Sequence, residues 1–455
     1  MCRSTLEGTD GRREAVDGRF DRNGGKSAVQ PLSYMRNDND ITYIGRTTFR
    51  NEGKLFGIRR ADRRHHMYII GKTGTGKSTL IKNMVEQDLG NGEGLALFDP
   101  HGDLVEEVVR LVPESRRQDV VYLDVPNPSC RFTFNPLAGV PPEKRALAAA
   151  GMVEVFKKLW PDDWGPRLEH LLRNVVWVLL ETPGASLGDI PRLLTDRDYR
   201  RSLLAGVTNP EVVEFWKNEF ERYSPAFRAV VVAPLQNKVG GFLTDPRLRD
   251  ILSSPTSTFD LRAIMDERRV LLVNLSRGEI GEGPAALLGS LLVSSIALAG
   301  FARAGRQLPH RRDFWIYLDE FQTFATLTLA SMLSELRKYR VALVLGHQYL
   351  SQLAPEVRDA LFGNVGSIIT FRIGAADAAV VSRELGAPIV PSDITSLARY
   401  CIYVRLMVTG ECASGFSAQT EDNVASMFPT DRTEHLDLLA REAVSSRHSA
   451  RKSHP

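Results

Sequence analysis

Cysteine is scarce in this chain, which excludes two common kinds of scaffold. Four cysteines occur among 455 residues, at positions 2, 130, 401 and 412, and they form no CxxC pair and no Cys/His ligand spacing. Zinc sites and disulfide frameworks both depend on such spacings. The sequence therefore argues against either one and fits a reducing compartment.

Long apolar runs are also scarce. The first 25 residues are polar and charged, without an apolar core of signal-peptide length, so we expect no export. One uncharged stretch, residues 284–302, reaches the lower limit of about 18 residues for a membrane span. It contains three serines and has apolar residues on every face. We therefore predict a buried core helix, with a membrane span as the alternative.

The chain lacks a strong charge of either sign. Its net charge is +3, with 25% charged and 43% hydrophobic residues, which is an ordinary globular composition. This balance tolerates a nucleic-acid partner without indicating one. The length allows two or three domains, and no internal repeat is visible.

The segment GKTGTGKS, residues 71–78, is a complete GxxxxGK[ST] phosphate loop between a short apolar run and a segment with helical spacing. Glycines leave backbone amides free to face phosphate, Lys77 can reach the outer phosphates, and Ser78 offers a hydroxyl to Mg²⁺. The predicted nucleotide-binding residues are Gly71, Lys72, Thr73, Gly74, Thr75, Gly76, Lys77, Ser78 and Thr79. The segment predicts a nucleoside triphosphate site, with a glycine-rich turn that binds no phosphate as the alternative.

A second motif, FWIYLDE at residues 314–320, is an apolar strand that ends in two acids, as a Walker B element does. We expect Asp319 to hold Mg²⁺ through its water shell and Glu320 to orient and deprotonate the attacking water. Many buried strands end in acids that merely face solvent, which is the alternative. The phosphate loop upstream favours the functional interpretation.

The next predicted strand, 341–345, is followed by Gly346, His347 and Gln348. Parallel strands place their carboxyl ends on one edge of a sheet, so Gln348 is the candidate sensor of the γ-phosphate. The alternative is a polar residue that only closes the strand. We interpret His347 as structural, because a glutamate already supplies the base.

An arginine-rich turn, ELRKYR at residues 335–340, lies between these motifs. An arginine finger stabilises the charge that builds up on a transferred phosphate. An arginine here would lie away from its own phosphate loop and would have to act across a subunit boundary. A solvated basic turn is the alternative.

Strand and helix patterns alternate from residue 41 to about 123, as in a parallel sheet, and become almost entirely helical from 143 to 252. Strand patterns resume at 270–275, and residues 328–339 have a helical pattern between later strands. Within the helical region Asn209–Pro210 and Ser224–Pro225 are predicted helix starts, each a cap residue followed by proline. The predicted organisation is a disordered polar arm (1–40), a nucleotide-binding domain (41–136 and 262–430), an all-α insertion (137–261) and a disordered basic tail (431–455).

Five separated blocks resemble the FtsK/HerA superfamily of ring ATPases. They are GKTGTGKSTL, ALFDPHGDLVEEV, VNLSRGEIGEGPAALLGSLL, YLDEFQTFAT and ELRKYRVALVLGHQYLSQL. Within the superfamily they are most similar to type IV secretion coupling proteins of the TraD/TraG class and to soluble HerA-like relatives. The resemblance implies an α/β, RecA-like P-loop core with a mainly parallel sheet and an all-α insertion. It also implies a homo-oligomer, a hexamer, that moves DNA through a central channel with ATP and Mg²⁺.

By the same resemblance Lys77 and Ser78 contact phosphate and Mg²⁺, Asp319 and Glu320 are the Walker B pair, and Gln348 is the sensor.

The resemblance also favours Arg337 as the finger offered to a neighbouring subunit, with Arg340 and Arg372 as further candidates. Arg64 resembles a family arginine near the nucleotide.

Membrane-anchored coupling proteins carry transmembrane helices at the N-terminus, where this chain has a polar arm. We therefore expect no membrane span and a cytoplasmic location. Either a partner tethers the protein peripherally at the inner membrane, or the protein belongs to the soluble DNA-translocating branch. Relaxase and secretion-channel proteins are the implied partners.

The leading hypothesis is an ATPase that couples hydrolysis to DNA translocation, in conjugative or type IV secretion DNA transfer. A protein-directed ATPase that energises a secretion apparatus and a HerA-like DNA-processing helicase are the alternatives. A non-hydrolysing nucleotide-gated scaffold is disfavoured by Lys77 and Glu320. Stimulation of ATP turnover by DNA would separate a DNA motor from a protein-directed one.

Overall fold

The computed structural model describes residues 38, 40–48 and 53–423. Apart from residues 38 and 40, the predicted polar arm lies outside the described residues, and so does the whole predicted basic tail.

The described part of the chain contains thirteen strands and seventeen α-helices. The strands are β1 (Ile41–Thr47), β2 (Leu55–Arg59), β3 (Met67–Ile70), β4 (Gly94–Asp99), β5 (Val120–Asp124), β6 (Val270–Asn274), β7 (Phe314–Leu318), β8 (Val341–His347), β9 (Ser367–Thr370), β10 (Cys401–Arg405), β11 (Met407–Val408), β12 (Glu411–Cys412) and β13 (Phe416–Thr420). The helices are α1 (Arg60–Arg63), α2 (Lys77–Gly90), α3 (Asp103–Leu111), α4 (Arg145–Leu159), α5 (Pro166–Glu181), α6 (Ile190–Thr195), α7 (Arg197–Leu204), α8 (Pro210–Glu214), α9 (Pro225–Leu243), α10 (Pro246–Leu252), α11 (Leu261–Asp266), α12 (Arg277–Ile280), α13 (Glu282–Ala302), α14 (Leu327–Glu335), α15 (Pro355–Asn364), α16 (Ala375–Leu385) and α17 (Pro391–Thr395).

Eleven strands form one sheet in the order β2-β1-β13-β10-β9-β3-β8-β7-β4-β6-β5. The seven strands from β9 to β5 are parallel, and the other four join through antiparallel pairs. Every residue of β3, β4, β6, β7 and β8 is buried, as expected for parallel strands covered by helices on both faces. The predicted α/β class with a mainly parallel sheet is confirmed.

Two apolar clusters lie on the two faces of the sheet. One joins α2 and α3 to alternate residues of the central strands. The other joins the opposite residues of those strands to α13 and to the helices between β5 and β6. This alternation follows from the period of two in a strand, which sends successive side chains to opposite faces.

The described chain between β5 and β6 is helical and contains no strand. Two predicted helix starts occur as expected there. The side-chain oxygen of Asn209 accepts hydrogen bonds from the Glu211 and Val212 amides, and Ser224 Oγ accepts one from the Phe227 amide. Proline follows each of these residues at the first helical position, where its missing N–H leaves no bond unmade.

Helix α13 contains the apolar stretch that the sequence left between a core helix and a membrane span. Among the described residues, one helix is long and apolar enough to cross a membrane, and it is α13. In its apolar 18-residue segment, 78% is buried inside the protein. Its contacts with α4, α11 and the central sheet are those expected for the core helix.

The structure differs from the sequence prediction at two places. The helix predicted over residues 328–339 is α14 followed by a 3-10 turn at Leu336–Tyr339, which ends at Arg340 in the left-handed region. Strands β10 and β13 were not predicted. The sequence of β13, FSAQT, lacks the apolar alternation that marks a half-buried strand, whereas β10, CIYVR, has that alternation and was missed.

Candidate nucleotide site

The phosphate loop connects β3 to α2 and is held by backbone bonds along its length. The Gly71 amide donates to the His347 carbonyl at 3.1 Å, and the Lys72 amide donates to the Arg372 carbonyl at 2.9 Å. Gly74 and Gly76 have φ values of 74° and 120°, in the region that favours glycine. The loop is therefore a fixed cradle whose amides sit at the start of α2, where the helix dipole favours an anion.

Packing also requires glycine at the two ends of the loop. A Cβ atom on Gly71 would lie 2.6 Å from Phe371 Cβ, and one on Gly76 would lie 2.7 Å from the Tyr400 ring. The Tyr400 amide donates to the Thr75 carbonyl at 3.0 Å, so the residue just before β10 holds the loop from outside. Neither aromatic contact was predicted from the sequence.

Lys77 is buried at the start of α2 and turns back onto the loop. Its Nζ donates to the Gly71 carbonyl at 2.8 Å and lies 3.7 Å from Glu320 Oε1. Burial lowers the pKa of Lys77, while Glu320 and Asp319 act in the opposite direction. The amine is thus placed inside the cradle, within reach of a phosphate.

Ser78 and Asp319 meet across the site. Ser78 Oγ donates a hydrogen bond to Asp319 Oδ2 at 3.1 Å, although the two residues are 241 positions apart. This contact brings the phosphate loop and the end of β7 together, as the two motifs predicted. A hydroxyl beside a carboxylate oxygen is a ligand pair suited to Mg²⁺.

The electrostatics around Asp319 fit a cation. Burial, together with the nearby Asp99 and Glu320, raises the pKa of Asp319 to about 6, while Lys77 and Ser78 act in the opposite direction. The Asp99 carboxylate already accepts hydrogen bonds from the backbone amides of His101, Leu104 and Val105, at and just before the start of α3. A divalent cation at Asp319 would offset this crowding of carboxylates.

Glu320 is held at both carboxylate oxygens. Gln348 Nε2 donates to Oε1 and Gln322 Nε2 donates to Oε2, each at 2.8 Å. The backbone of Glu320 is left-handed, with φ 46°, which is uncommon for a residue other than glycine. Strain of this kind is found at functional sites when the surrounding structure enforces it.

Gln348 thus lies on the predicted edge of the sheet, beside Glu320 and Lys77. His347 is fully buried, and the Tyr68 hydroxyl lies 2.9 Å from its Nδ1. Burial lowers the pKa of His347 to about 3, with Lys77 acting in the same direction. The ring is therefore neutral at physiological pH, which agrees with a structural role.

The candidate arginines occupy different edges. Arg337 is exposed before the amino end of β8, and among the described residues its side chain has no hydrogen-bond or ion-pair partner. Seven residues of β8 separate it from the phosphate loop, about 20 Å at ~3.3 Å per residue. Arg340 lies 3.6 Å from Asp313 Oδ1. Arg372 is exposed beside the phosphate loop.

Arg64, which was expected near the nucleotide, lies away from the phosphate loop of its own chain. Its Nε and Nη2 both donate to the Asp313 carboxylate at 2.8 Å, at the amino edge of the sheet. The phosphate loop follows the opposite end of β3. Within one chain Arg64 therefore lies on the same edge of the sheet as Arg337, away from its own phosphate loop.

Gly346 and Gln322 are site residues that sequence reasoning missed. A Cβ on Gly346 would lie 2.7 Å from Asp319 Oδ1, so only glycine leaves room for that carboxylate. A glycine inside a strand is a signal of close approach and could have identified it. Gln322 carried no comparable signal.

Residues 56–155, which include the phosphate loop and β4, match the family DUF87, described as the central domain of helicase HerA. The match spans the strand, loop and helix that form the cradle. These residues are thus similar to the HerA central domain, and they contain the phosphate loop of a P-loop NTPase fold. No curated protein matches its sequence significantly.

Solved P-loop NTPase structures share the fold of this chain over most of its length. The plasmid coupling protein TrwB, solved with ADP and Mg²⁺, superposes with a TM-score of 0.59 at 16% identity, covering 84% of this chain and 96% of the solved TrwB chain. TrwB with a non-hydrolysable ATP analogue has a TM-score of 0.56 at 16% identity, covering 80% and 87%. VirB4 of Thermoanaerobacter pseudethanolicus has a TM-score of 0.56 at 14% identity, covering 85% and 97%.

Proposed function

We propose that this protein is an ATPase that uses Mg-ATP hydrolysis to translocate DNA, as a coupling ATPase in conjugative or type IV secretion DNA transfer. The hydrogen bond between Ser78 and Asp319 carries the proposal, because it joins the two motifs at one pocket. The fold shared with TrwB, a coupling protein whose structures contain ADP with Mg²⁺ and an ATP analogue, supports the choice of ligand.

The residues present fit a triphosphate and Mg²⁺. The loop amides and Lys77 would hold the phosphates, and Ser78 and Asp319 would hold Mg²⁺, which supplies charge neutralisation when bound. The raised pKa of Asp319 is consistent with a carboxylate that requires a cation. The fixed φ values of Gly74 and Gly76 keep the amides of the loop in place for an anion.

Glu320 is the proposed base that orients the attacking water and accepts its proton. Glu320 is 4% exposed, so little bulk water competes for its carboxylate. Gln348 donates a hydrogen bond to Glu320 and lies on the same edge of the sheet as the phosphate loop. A contact between Gln348 and the γ-phosphate would therefore change the position of Glu320. Loss of the γ-phosphate contacts after hydrolysis would then shift this pair and the loops attached to it.

Arg337 is the proposed finger for a neighbouring subunit of a homo-oligomer, a hexamer. It is exposed and lies on the opposite edge from its own cradle, so it can serve only another copy of the chain. This placement favours Arg337 over Arg340, which is already paired with Asp313. Contact with DNA would be mainly through phosphates and therefore sensitive to salt.

A second candidate is a protein-directed ATPase of a secretion apparatus, favoured by the likeness to VirB4 at a TM-score of 0.56. The HerA central-domain match in turn favours a soluble DNA-processing helicase. For the leading proposal, relaxase or secretion-channel proteins are the expected partners. In either DNA-directed case the location is cytoplasmic, with peripheral attachment at the inner membrane only through a partner.

The test is the steady-state ATPase rate of the full chain without DNA, with single-stranded DNA and with double-stranded DNA, each at 50 and 200 mM salt. A DNA motor predicts a higher rate with at least one form and a smaller increase at the higher salt. A measurable basal rate that no DNA raises would favour the protein-directed alternative. Absence of turnover under every condition would contradict both.

A further inference from the structure

Lys158 lies in the last turn of α4 and reaches the turn that follows Glu320. Its Nζ donates to the carbonyl oxygens of Gln322 and Thr323 at 2.8 and 2.5 Å. These carbonyls belong to the 3-10 turn Phe321–Thr323. Free carbonyls at the end of a helical turn need a donor, and a lysine amino group has enough N–H bonds to serve two of them at once.

Burial is the one cause that shifts the pKa of Lys158, and it lowers that pKa to about 7. Transfer of an amine out of water costs free energy unless hydrogen bonds inside the protein replace those it made with water. An apolar residue would fill the same space without that penalty. A lysine at this position is therefore better explained by its hydrogen bonds to the Gln322 and Thr323 carbonyls than by its packing.

The turn held by Lys158 carries Gln322, which contacts the carboxylate of Glu320. Gln322 Oε1 is buried without a hydrogen-bond partner among the described residues. A flip of the amide would place this oxygen against the carboxylate, which repulsion disfavours. The position of the turn thus sets where one oxygen of Glu320 lies.

Helix α4 connects the turn to the all-α insertion. It packs against α5 in the larger apolar cluster, and its Phe156 ring lies 5.9 Å from the Phe242 ring of α9. A displacement of these helices would move α4 and, with it, the amine at its end. The contacts form one continuous path from α9 through α4 and Lys158 to Gln322 and Glu320.

We propose that Lys158 is a positioning residue that couples the all-α insertion to the catalytic carboxylate of Glu320. This inference rests on the proposed ATPase function. Lys158 holds the turn so that Gln322 keeps Glu320 aligned for its water, and movement of α4 changes that alignment. Because small displacements of a catalytic group lower rates by ~10-fold to 100-fold, turnover should respond while nucleotide affinity does not.

The test compares Lys158→Met, which keeps the aliphatic stem, with Lys158→Arg, which keeps donors for both carbonyls. Lys157→Met is the matched control, because Lys157 is exposed and faces Glu154 at 3.9 Å. We expect Lys158→Met to lower kcat at least ~10-fold with the Kd for ATP within about twofold of wild type. Lys158→Arg should recover most of kcat, and Lys157→Met should match wild type.

A double-mutant cycle with Gln322→Ala separates this role from a merely structural one. If Lys158 acts through Gln322, each single change lowers kcat and the double variant is little worse than either. Fully multiplicative effects would overturn the proposal, as would an unchanged kcat in Lys158→Met or a parallel loss of ATP affinity. Gln322→Ala leaves Lys158 and its carbonyls in place, so an unchanged kcat in that variant overturns the proposal even if Lys158→Met does not fold.

The same assays distinguish this inference from the function on which it rests. Absence of ATP turnover in the wild-type chain contradicts both. An active wild type with unchanged Lys158 and Gln322 variants contradicts the coupling alone.

Discussion

Gly346 makes room for Asp319. A Cβ at residue 346 would lie 2.7 Å from Asp319 Oδ1 and 3.0 Å from Ile81 Cδ1, so the absence of a side chain on β8 lets the carboxylate turn towards Ser78. The two residues lie at the ends of adjacent parallel strands, β7 and β8. The position of the proposed metal ligand thus depends on a neighbour that carries no functional group.

Gly346→Ala should displace Asp319 and lower Mg²⁺-dependent ATP turnover by ~10-fold or more, because a shifted catalytic ligand loses alignment. Crowding of this buried site should also lower the free energy of unfolding by about 1–3 kcal/mol. The control is Gly363→Ala in α15, where an added Cβ meets no atom within 4 Å. Alanine favours a helix, so this control should keep activity and gain about 0.5–1 kcal/mol. Equal turnover in the two variants would contradict the close-approach account.

Asp319→Asn should separate catalysis from stability. The folded protein raises the pKa of Asp319 from 3.8 to about 6, so between these values the folded state binds more protons than the unfolded state. Above pH 6 the buried charge is unfavourable, and its removal should raise the free energy of unfolding at pH 7.5 by about 1–3 kcal/mol without Mg²⁺ or nucleotide.

In the same variant ATP turnover should fall ~100-fold or more, because Mg²⁺ loses a ligand that supports the transition state. Chemical denaturation and ATPase assays measure the two effects. A variant that is less stable than wild type without ligands would show that Asp319 is a structural acid.

Arg337→Ala and Glu320→Gln should each abolish turnover, and a mixture of the two should regain it. If Arg337 serves the neighbouring subunit, random assembly gives roughly a quarter of the interfaces an intact Glu320 and an intact Arg337. Loss of a finger lowers turnover by about 10³-fold or more, so the recovery is measurable. Lys338→Ala is the control, because Lys338 faces Glu335 at 3.8 Å and should not affect turnover. A mixture as inactive as its components would contradict action across subunits.

His66 should make the fold sensitive to acid. Its Nδ1 accepts a bond from the Leu343 amide at 3.0 Å and its Nε2 lies 3.1 Å from the Leu333 carbonyl, so the neutral ring links β8 to α14. Burial lowers the pKa of His66 from 6.5 to about 4. Between pH 6.5 and 4 the unfolded state binds more protons, so stability from His66 is complete above 6.5 and is lost as the pH falls.

The free energy of unfolding that His66 contributes should fall by on the order of 3 kcal/mol between pH 6.5 and pH 4. His66→Asn should be less stable at pH 7.5 and should show a shallower decline between pH 6.5 and 4 in urea denaturation. Asparagine also tolerates the left-handed backbone of residue 66, where φ is 64°. Parallel declines in wild type and variant would contradict a buried neutral histidine.

The parts of the site that sequence predicted are those with a local pattern. The phosphate loop, the acids after β7 and the polar end of β8 each follow an apolar strand, and parallel pairing then brings Ser78, Asp319 and Gln348 to one edge. Lys158 and Tyr400 reach the site from elements far away in sequence. Their contacts depend on how the helices and the antiparallel part of the sheet pack, which no local spacing encodes.

Arg64 shows the opposite relation between sequence and space within one chain. It lies next to β3 in sequence, but the strand carries it to the other edge of the sheet, where Asp313 accepts its guanidinium. Sequence distance from a motif therefore says little about spatial distance when a strand intervenes.

The most direct test is to compare wild type with Glu320→Gln for both ATP binding and ATP hydrolysis in the presence of Mg²⁺. Glutamine keeps the shape of the residue but cannot accept the proton from water. The account predicts a Kd for ATP within about twofold of wild type and turnover reduced ~10²- to 10⁴-fold, the range of a general base. Turnover retained by Glu320→Gln, or absent from the wild type, would contradict it.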